Sequence, residues 1–187
     1  NRQLRRERQL CAWQVSDNPN AKPLVTLIYE SDLDSSSFDN AYGTFKTKRQ
    51  ALQILNKLAD EEGLCDKALG LEKGSGICFS HQLKHCKGLC AGQEPAELHR
   101  LRLLTALSRY KILAWPFAGR IGIKEYNPAN DMTEVHVFDQ WCHLGTVKDH
   151  QELDELSKRP CFDRDTYRYL LKFINRKQVE IIALHGH

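Results

Sequence analysis

The sequence lacks any long apolar run, and its N-terminus lacks an apolar core. No segment approaches the roughly 18 consecutive apolar residues typical of a membrane-spanning helix, and residues 1–8 are polar and rich in arginine. A secretory signal needs an apolar stretch behind its basic residues. We therefore expect a chain with neither a membrane span nor a leader, located in the cytoplasm. Internal repeats and low-complexity tracts are absent as well.

The chain also lacks a large excess of charge of one sign and an even number of cysteines. With 27 Lys and Arg against 24 Asp and Glu, its net charge of +3 does not by itself argue for nucleic acid. Seven cysteines fit poorly with a disulfide framework in 187 residues, so a reducing compartment is the better interpretation. The length allows one or two domains.

What the sequence does contain is a group of four cysteines in one stretch, spaced C-x12-C-x7-C-x3-C: Cys65, Cys78, Cys86 and Cys90. Thiolates are strong ligands for soft metals, and four of them fill a tetrahedral shell with no open position. The spacing predicts a structural or electronic metal site, either a zinc ion or an iron–sulfur cluster, rather than a hydrolytic one. His81 and His85 are expected behind the ligands or on the surface.

Basic residues cluster at the N-terminus and around the cysteines. The first group is Arg2, Arg5, Arg6 and Arg8, and the second is Lys73, His81, Lys84, His85 and Lys87. The arginines either contact phosphates or form the solvated face of a helix end. Lys84 and Lys87 either join them on DNA or balance the excess negative charge of four thiolates around a metal. If both groups face DNA, binding will be weak and independent of sequence.

The first 110 residues show strand and helix signals. The apolar run 24–30 predicts a strand, 32–40 a loop and 42–45 a short strand. A capping box at 47–50 predicts a helix to about Glu62, ended by Gly63. Residues 78–87 are predicted to be helical, and a longer helix follows Pro95 to about Tyr110. Its predicted buried stripe is Leu98, Leu101, Leu104 and Leu107.

The last third predicts an antiparallel meander with one packed helix. Residues 112–126 and 133–139 form a hairpin, 141–147 add a strand, and 179–184 close the sheet. Asp163 or Asp165 caps the helix, whose apolar positions are Tyr167, Leu170, Leu171 and Ile174. The predicted fold is therefore α+β, in three parts: a strand-and-helix unit with the end of a preceding domain (1–64), the cysteine segment and following helix (65–110), and the meander (111–187).

Two other constellations invite a catalytic interpretation. Glu125, Glu134, His136 and Asp139 lie on adjacent predicted strands and can form a divalent-metal site of a hydrolase. Charged residues that alternate with apolar ones on a hairpin are more often its solvated face. Cys142 beside His143 is a weak nucleophile candidate, because a strand cysteine is usually a small buried hydrophobe.

The residues also carry a resemblance to a known family. Residues 43–51, leading into Cys65, and the segment 78–92 resemble the cysteine region that follows the GIY-YIG nuclease domain in UvrC-type excinucleases. The opening residues 1–11 resemble the end of such a nuclease domain. Later pieces, 115–117, 137–141 and 162–167, are similar to one bacterial subgroup, which joins a DNA polymerase III epsilon-type exonuclease to a UvrC-like nuclease half.

The resemblance implies a role in DNA repair without catalysis by this chain. It assigns Cys65, Cys78, Cys86 and Cys90 to a [4Fe–4S] cluster. The GIY-YIG strand pair and the exonuclease carboxylates are absent from the sequence, so the chain is expected to position DNA or a partner for a nuclease domain that it lacks. The alternative is a zinc-stapled protein-interaction module without DNA contact, and the third hypothesis is a metal-dependent hydrolase.

Overall fold

The structure, a computed structural model, describes residues 9–33, 37–129, 131–148, 152–153, 156, 162–176 and 180–184. The described residues form two compact units. The N-terminal unit holds those up to Asp32 together with Ser37–Ile112, and the C-terminal unit holds Leu33 and those from Leu113 onward. Each unit contains one antiparallel sheet and packed helices, so the predicted α+β class is confirmed.

The N-terminal sheet has the strand order β2-β1-β3, with β1 at Cys11–Val15, β2 at Val25–Tyr29 and β3 at Ala41–Phe45. The structure confirms β2 and β3, whereas the central strand β1 was not predicted. The pairing of β1 with β3 shifts register between Cys11 and Trp13. Gly43 lies opposite this shift with a φ of 70°, a conformation that glycine adopts without a steric penalty.

The first helix, α1 (Lys48–Glu62), begins and ends where the sequence predicts. The Thr47 hydroxyl accepts from the Gln50 backbone N–H at 3.1 Å, and the Gln50 side chain accepts from the Lys46 N–H at 2.9 Å. Gly63 ends the helix in the left-handed conformation. These contacts satisfy backbone groups that a helix end leaves without partners. The buried face consists of Ala51, Leu55, Leu58 and Ala59.

The cysteine segment follows α1 and contains two short helices, α2 (Asp66–Leu69) and α3 (Phe79–Gln82). The helix predicted over 78–87 is therefore a single turn. Lys84 adopts a left-handed φ of 62°, and this reversal of the chain is incompatible with a continuing helix. Cys65, Cys78 and Cys86 belong to the same buried cluster as Trp13 and Leu55.

Helix α4 (Ala96–Leu107) is present, with a further helical turn at Ser108–Tyr110. Its predicted buried stripe is correct at Leu107 and partly at Leu104, but wrong at Leu98 and Leu101. Leu98 is 49% exposed and Leu101 is 61% exposed. The residues that lie inward are His99, Leu103 and Leu107. The His99 ring lies inside, where it accepts a hydrogen bond from the backbone N–H of Cys65.

The C-terminal sheet has the order β6-β5-β4-β7 and confirms the predicted meander, except that its first strand begins at Arg120 and not at Ile112. Its strands are β4 (Arg120–Asn127), β5 (Met132–Asp139), β6 (Cys142–Val147) and β7 (Ile181–Leu184). Gln140 and Trp141 join β5 to β6 with φ of 47° and 63°, as in a two-residue type I′ turn. The register shifts between Val137 and Phe138. Both side chains are buried, Val137 in the core cluster and Phe138 on the side of the sheet where His136 lies, so this side is not entirely solvated.

The helix of this unit, α5, spans Arg164–Arg176. Asp163 is the cap, because its carboxylate accepts from the Thr166 N–H at 2.6 Å. Tyr167 and Leu170 face the interior, and the Tyr167 ring lies edge-on to Trp141 at 4.8 Å between centroids. None of the helices within the described residues is long and apolar enough to cross a membrane.

Candidate metal centre

The four cysteine thiols meet at one point of the N-terminal unit. The Sγ atoms of Cys65, Cys78, Cys86 and Cys90 all lie within 4.8 Å of one another. The Sγ of Cys78 is 4.0 Å from that of Cys65 and 3.5 Å from that of Cys90. Cys65, Cys78 and Cys86 are buried, whereas Cys90 is half-buried. Four convergent thiols can hold a metal ion, as the spacing predicted.

Turns in the backbone bring these four positions together. Cys65 and Cys78 immediately precede the single turns α2 and α3. Cys90 lies in a short helical turn, Leu89–Ala91, between Gly88 and Gly92, whose φ angles are 88° and 69°. Positive φ at both ends lets the chain reverse twice within five residues.

Burial disfavours the thiolate form at two of the four cysteines, so a metal would have to displace their protons. Burial, with a smaller contribution from the neighbouring thiols, raises the pKa of Cys65 to about 11, and burial likewise raises the pKa of Cys86. Burial also acts on Cys90, but hydrogen bonds from the Cys78 N–H and the other thiols outweigh it and lower its pKa. Several thiolates this close together require a metal, which displaces their protons on binding.

Backbone N–H groups support the sulfurs. The Cys78 N–H donates to the Cys90 Sγ at 3.3 Å, and the Gly88 N–H donates to the Cys86 Sγ at 3.3 Å. Such bonds stabilise negative charge on thiolate ligands of zinc and of iron–sulfur clusters alike. The donor set therefore fits either group.

His99 anchors the first ligand and was missed by the sequence reasoning. Its ring is fully buried, and Nε2 accepts from the Cys65 N–H at 2.9 Å. Burial lowers the pKa of His99, so the ring is neutral. A histidine inside a leucine-rich helix was the available signal. His81, in contrast, was expected behind the ligands, and its Nδ1 lies 3.1 Å from the Cys86 carbonyl oxygen.

The predicted DNA-binding residues are only partly described. Lys84 and Lys87 are exposed and line a shallow cavity of about 650 Å³ beside Cys86. Three acidic residues from the end of α1, Asp60, Glu61 and Glu62, line the same cavity and lower its positive potential. The sequence did not predict that these acidic residues lie beside the two lysines. The other predicted residues, Arg2, Arg5, Arg6 and Arg8, lie outside the described residues.

A second cavity, of about 550 Å³, also borders the centre. It is lined by Cys65 and Cys90, by Pro23, and by the glycine-rich segment 73–76. The Lys67 ammonium holds that segment by donating to the Ser75 and Gly76 carbonyls at 2.8 and 3.0 Å. Of the two cysteines that line this cavity, Cys65 is buried and Cys90 is partly exposed.

The acidic residues of the C-terminal sheet are engaged separately. His136 Nε2 lies 2.7 Å from Glu125 Oε2, and His136 Nδ1 lies 2.9 Å from Thr146 Oγ1. Glu134 instead faces Lys148 at 3.8 Å. Among the described residues, the four cysteines are the only set of three or more such donors close enough to share a metal. The separate contacts of these acidic residues do not favour the hydrolase hypothesis. Cys142 is buried, as expected of a small hydrophobic residue.

Fold and site together define a two-unit α+β chain with a four-thiol centre in its first unit. Two family models match it: the middle domain of UvrC/Cho excinucleases over residues 3–109, and the C-terminal domain of excinuclease Cho over residues 120–187. The chain belongs to the UvrC/Cho excinuclease family.

Similar proteins carry the name excinuclease Cho. That of Salmonella typhi is 40% identical over 188 residues, which cover 99% of this chain and 62% of the relative. Those of Shigella flexneri and Escherichia coli (strain K12) are each 39% identical over 187 residues, which cover 98% of this chain and 61% of the relative. The chain thus spans about three fifths of the length of these relatives. No solved structure matches it.

Proposed function

We propose that this chain is the non-catalytic part of a UvrC-like DNA-repair nuclease and positions DNA for a GIY-YIG domain. The convergence of four thiols within 4.8 Å carries the proposal, because it matches the cysteine region that the sequence resembles. The 1–64, 65–110 and 111–187 parts would act together as this cytoplasmic positioning module. The link to fusions with a polymerase III epsilon-type exonuclease stays a prediction.

The resemblance makes a [4Fe–4S] cluster the first candidate for the centre. A single zinc ion is the second, and one observation favours it. Zinc–sulfur bonds of about 2.3 Å place tetrahedral sulfurs about 3.8 Å apart, close to the 3.5 and 4.0 Å separations from Cys78. A four-iron cluster binds each cysteine through a different iron and needs sulfurs farther apart.

DNA contact is proposed for Lys84 and Lys87 together with the arginines at positions 2, 5, 6 and 8. Neither lysine forms an ion pair within the described part of the chain, so both ammonium groups are available to phosphates. Neutralising phosphates releases counterions, and binding will therefore weaken steeply with salt.

The second candidate function is a zinc-stapled protein-interaction module. Two observations favour it. The acidic end of α1 lies beside the lysines, and three large apolar side chains near the cysteines are exposed: Ile77 by 43%, Phe79 by 62% and Leu83 by 50%. Exposed apolar side chains of this size are typical of protein contacts.

The metal is tested by anaerobic purification with iron, zinc and sulfide analysis. A cluster should give a brown protein with absorption at about 400 nm. A colourless protein with one bound zinc would instead identify the centre as a zinc site. Cys86→Ser should lose the metal and unfold the cysteine segment, because binding is coupled to folding. Cys142→Ser, a buried cysteine of the other unit, is the control and should retain it. Full metal retention by Cys86→Ser contradicts the four-thiol assignment.

DNA binding is tested by titrating duplex, nicked and single-stranded DNA at two salt concentrations. Lys84→Ala combined with Lys87→Ala, and separately Arg5→Ala combined with Arg6→Ala, should weaken binding to every DNA alike and flatten its salt dependence by about one unit of slope per lost contact. Lys57→Ala, an exposed lysine on α1, is the control. Absence of binding to all three DNAs at low salt would retire the DNA role and leave the interaction module.

A further inference from the structure

The C-terminal unit contains a cleft between one face of its sheet and helix α5. Its volume is about 650 Å³, within the range of small-ligand sites. The sheet contributes the side chains of Ile123, Glu125, His136, Phe138 and His143, and the helix contributes Asp165, Thr166, Tyr169 and Phe173. Lys124 also lines the cleft, whereas the four cysteines, Lys84 and Lys87 do not.

Aromatic rings form both walls of the cleft. On the helix side, the rings of Tyr169 and Phe173 lie 4.4 Å apart between centroids. On the sheet side, the rings of Phe138 and His143 lie 5.1 Å apart. Tyr169 is 59% exposed, so a large aromatic surface is open to solvent. A planar ring that enters the cleft gains stacking contacts with these walls.

The charges around the cleft select a neutral ring over a cation. Each of the three carboxylates that line the cleft already has a partner. Glu125 contacts the His136 ring at 2.7 Å, and Asp163 accepts from the Thr166 N–H at 2.6 Å. Asp165 lies 3.6 Å from the Arg164 guanidinium. A cationic side chain would have to compete for them and would be repelled by Lys124, which also lines the cleft. In the Glu125 contact only Oε2 is engaged, and its second oxygen remains an acceptor for an amino group.

We propose that this cleft binds a nucleobase with an exocyclic amino group, turned out of DNA and stacked against Tyr169 and Phe173. The inference rests on the proposed role in DNA positioning and adds a base-binding site to it. Enzymes that act on DNA turn a base out most readily where it is mismatched, damaged or unpaired. Stacking on aromatic side chains holds such a base with little sequence preference.

The test uses the full, metal-loaded chain and the fluorescent nucleoside 2-aminopurine deoxyriboside. Stacking quenches its fluorescence, and the wild-type chain should quench it saturably. Tyr169→Ala should weaken binding about tenfold, as expected for loss of one stacking partner. Tyr126→Ala removes an equally exposed tyrosine, 58% exposed, on β4 outside the cleft, and should bind like wild type. Unchanged urea unfolding of both variants shows that the fold is intact.

A second arm separates this inference from the proposed function. The Tyr169→Ala variant should bind duplex DNA that carries 2-aminopurine opposite an abasic site more weakly than the wild-type chain does. Both should bind fully paired duplex DNA with the same affinity. The nucleoside lacks phosphates, so its binding should not depend on Lys84 and Lys87, which are proposed to contact the phosphates of DNA. If the wild-type chain does not quench the nucleoside fluorescence, or if Tyr169→Ala quenches it equally, the proposed base-binding site is wrong. The proposed role in DNA positioning is unaffected by either result. Binding of N-acetyl-arginine amide without nucleoside binding overturns it in favour of a cationic protein partner.

Discussion

The N-terminal unit depends on one buried ion pair, and its removal should be costly. On α4, the Arg102 guanidinium donates to both carboxylate oxygens of Glu94, at 2.8 and 2.9 Å. It also donates to the Glu62 carbonyl and, at 3.2 Å, to the Gly63 carbonyl. The side chains of Arg102 and Glu94 are 18% and 4% exposed. One guanidinium thus pairs a buried acid and caps the C-terminal end of α1.

Arg102→Met should lower the free energy of unfolding by about 3–5 kcal/mol, the usual cost of leaving one charge of a buried pair alone. In the double variant Glu94→Met with Arg102→Met no lone charge remains. We expect that variant to lose only about 1–2 kcal/mol, because the carbonyls of Glu62 and Gly63 stay uncapped. The two substitutions should therefore be strongly non-additive.

Urea unfolding followed by far-UV circular dichroism measures these differences. With an m value of about 2 kcal/mol/M, Arg102→Met should shift the midpoint by roughly 2 M. Arg109→Met is the control: this arginine also faces the end of α1, at 3.8 Å from Glu61, but is 60% exposed, and should cost under about 0.5 kcal/mol. Equal effects of Arg102→Met and Arg109→Met, or simple additivity in the double variant, would refute the reasoning.

Two further predictions concern β1 and its partner β3. Burial raises the pKa of Cys11 from 9.0 to about 11, so the unfolded chain releases this proton first, and stability should fall by about 2 kcal/mol as the pH rises from 9 to 11. Cys11→Ala should flatten that slope in urea titrations, and an unchanged slope would count against burial as its cause. Gly43→Ala places a methyl group against the Phe45 ring at a φ of 70° and should cost about 2–4 kcal/mol. Gly74→Ala, with a φ of 105° and open space around it, should cost only about 1 kcal/mol; thermal denaturation compares the two.

Local signals in the sequence were enough to predict the elements whose ends carry their own chemistry. Thr47, Gln50 and Gly63 mark the ends of α1 because their groups bond the helix backbone directly. The C-terminal meander followed in the same way from its turns and alternating residues. The four cysteines converge as their spacing suggested, since ligand type and spacing encode such a site locally.

Features set by tertiary contacts were not predictable. On α4, the inward position of His99 is tied to a hydrogen bond with the backbone of Cys65, 34 positions away in sequence, and the leucine pattern alone does not reveal it. Phe138 is buried although it lines the same cleft as His136, opposite residues of α5. The acids beside Lys84 and Lys87 come from α1, more than twenty positions earlier, so the local charge pattern could not reveal them.

Because Cys90 is only half-buried, the four thiols of the centre should not be equally accessible to reagents in solution. Three of its thiols are buried, and Cys90 and Cys65 border the cavity that opens to solvent. Oxidants, alkylating reagents and chelators that enter this cavity should meet Cys90 first. Damage would then begin at Cys90, while Cys65, Cys78 and Cys86 are still shielded by burial.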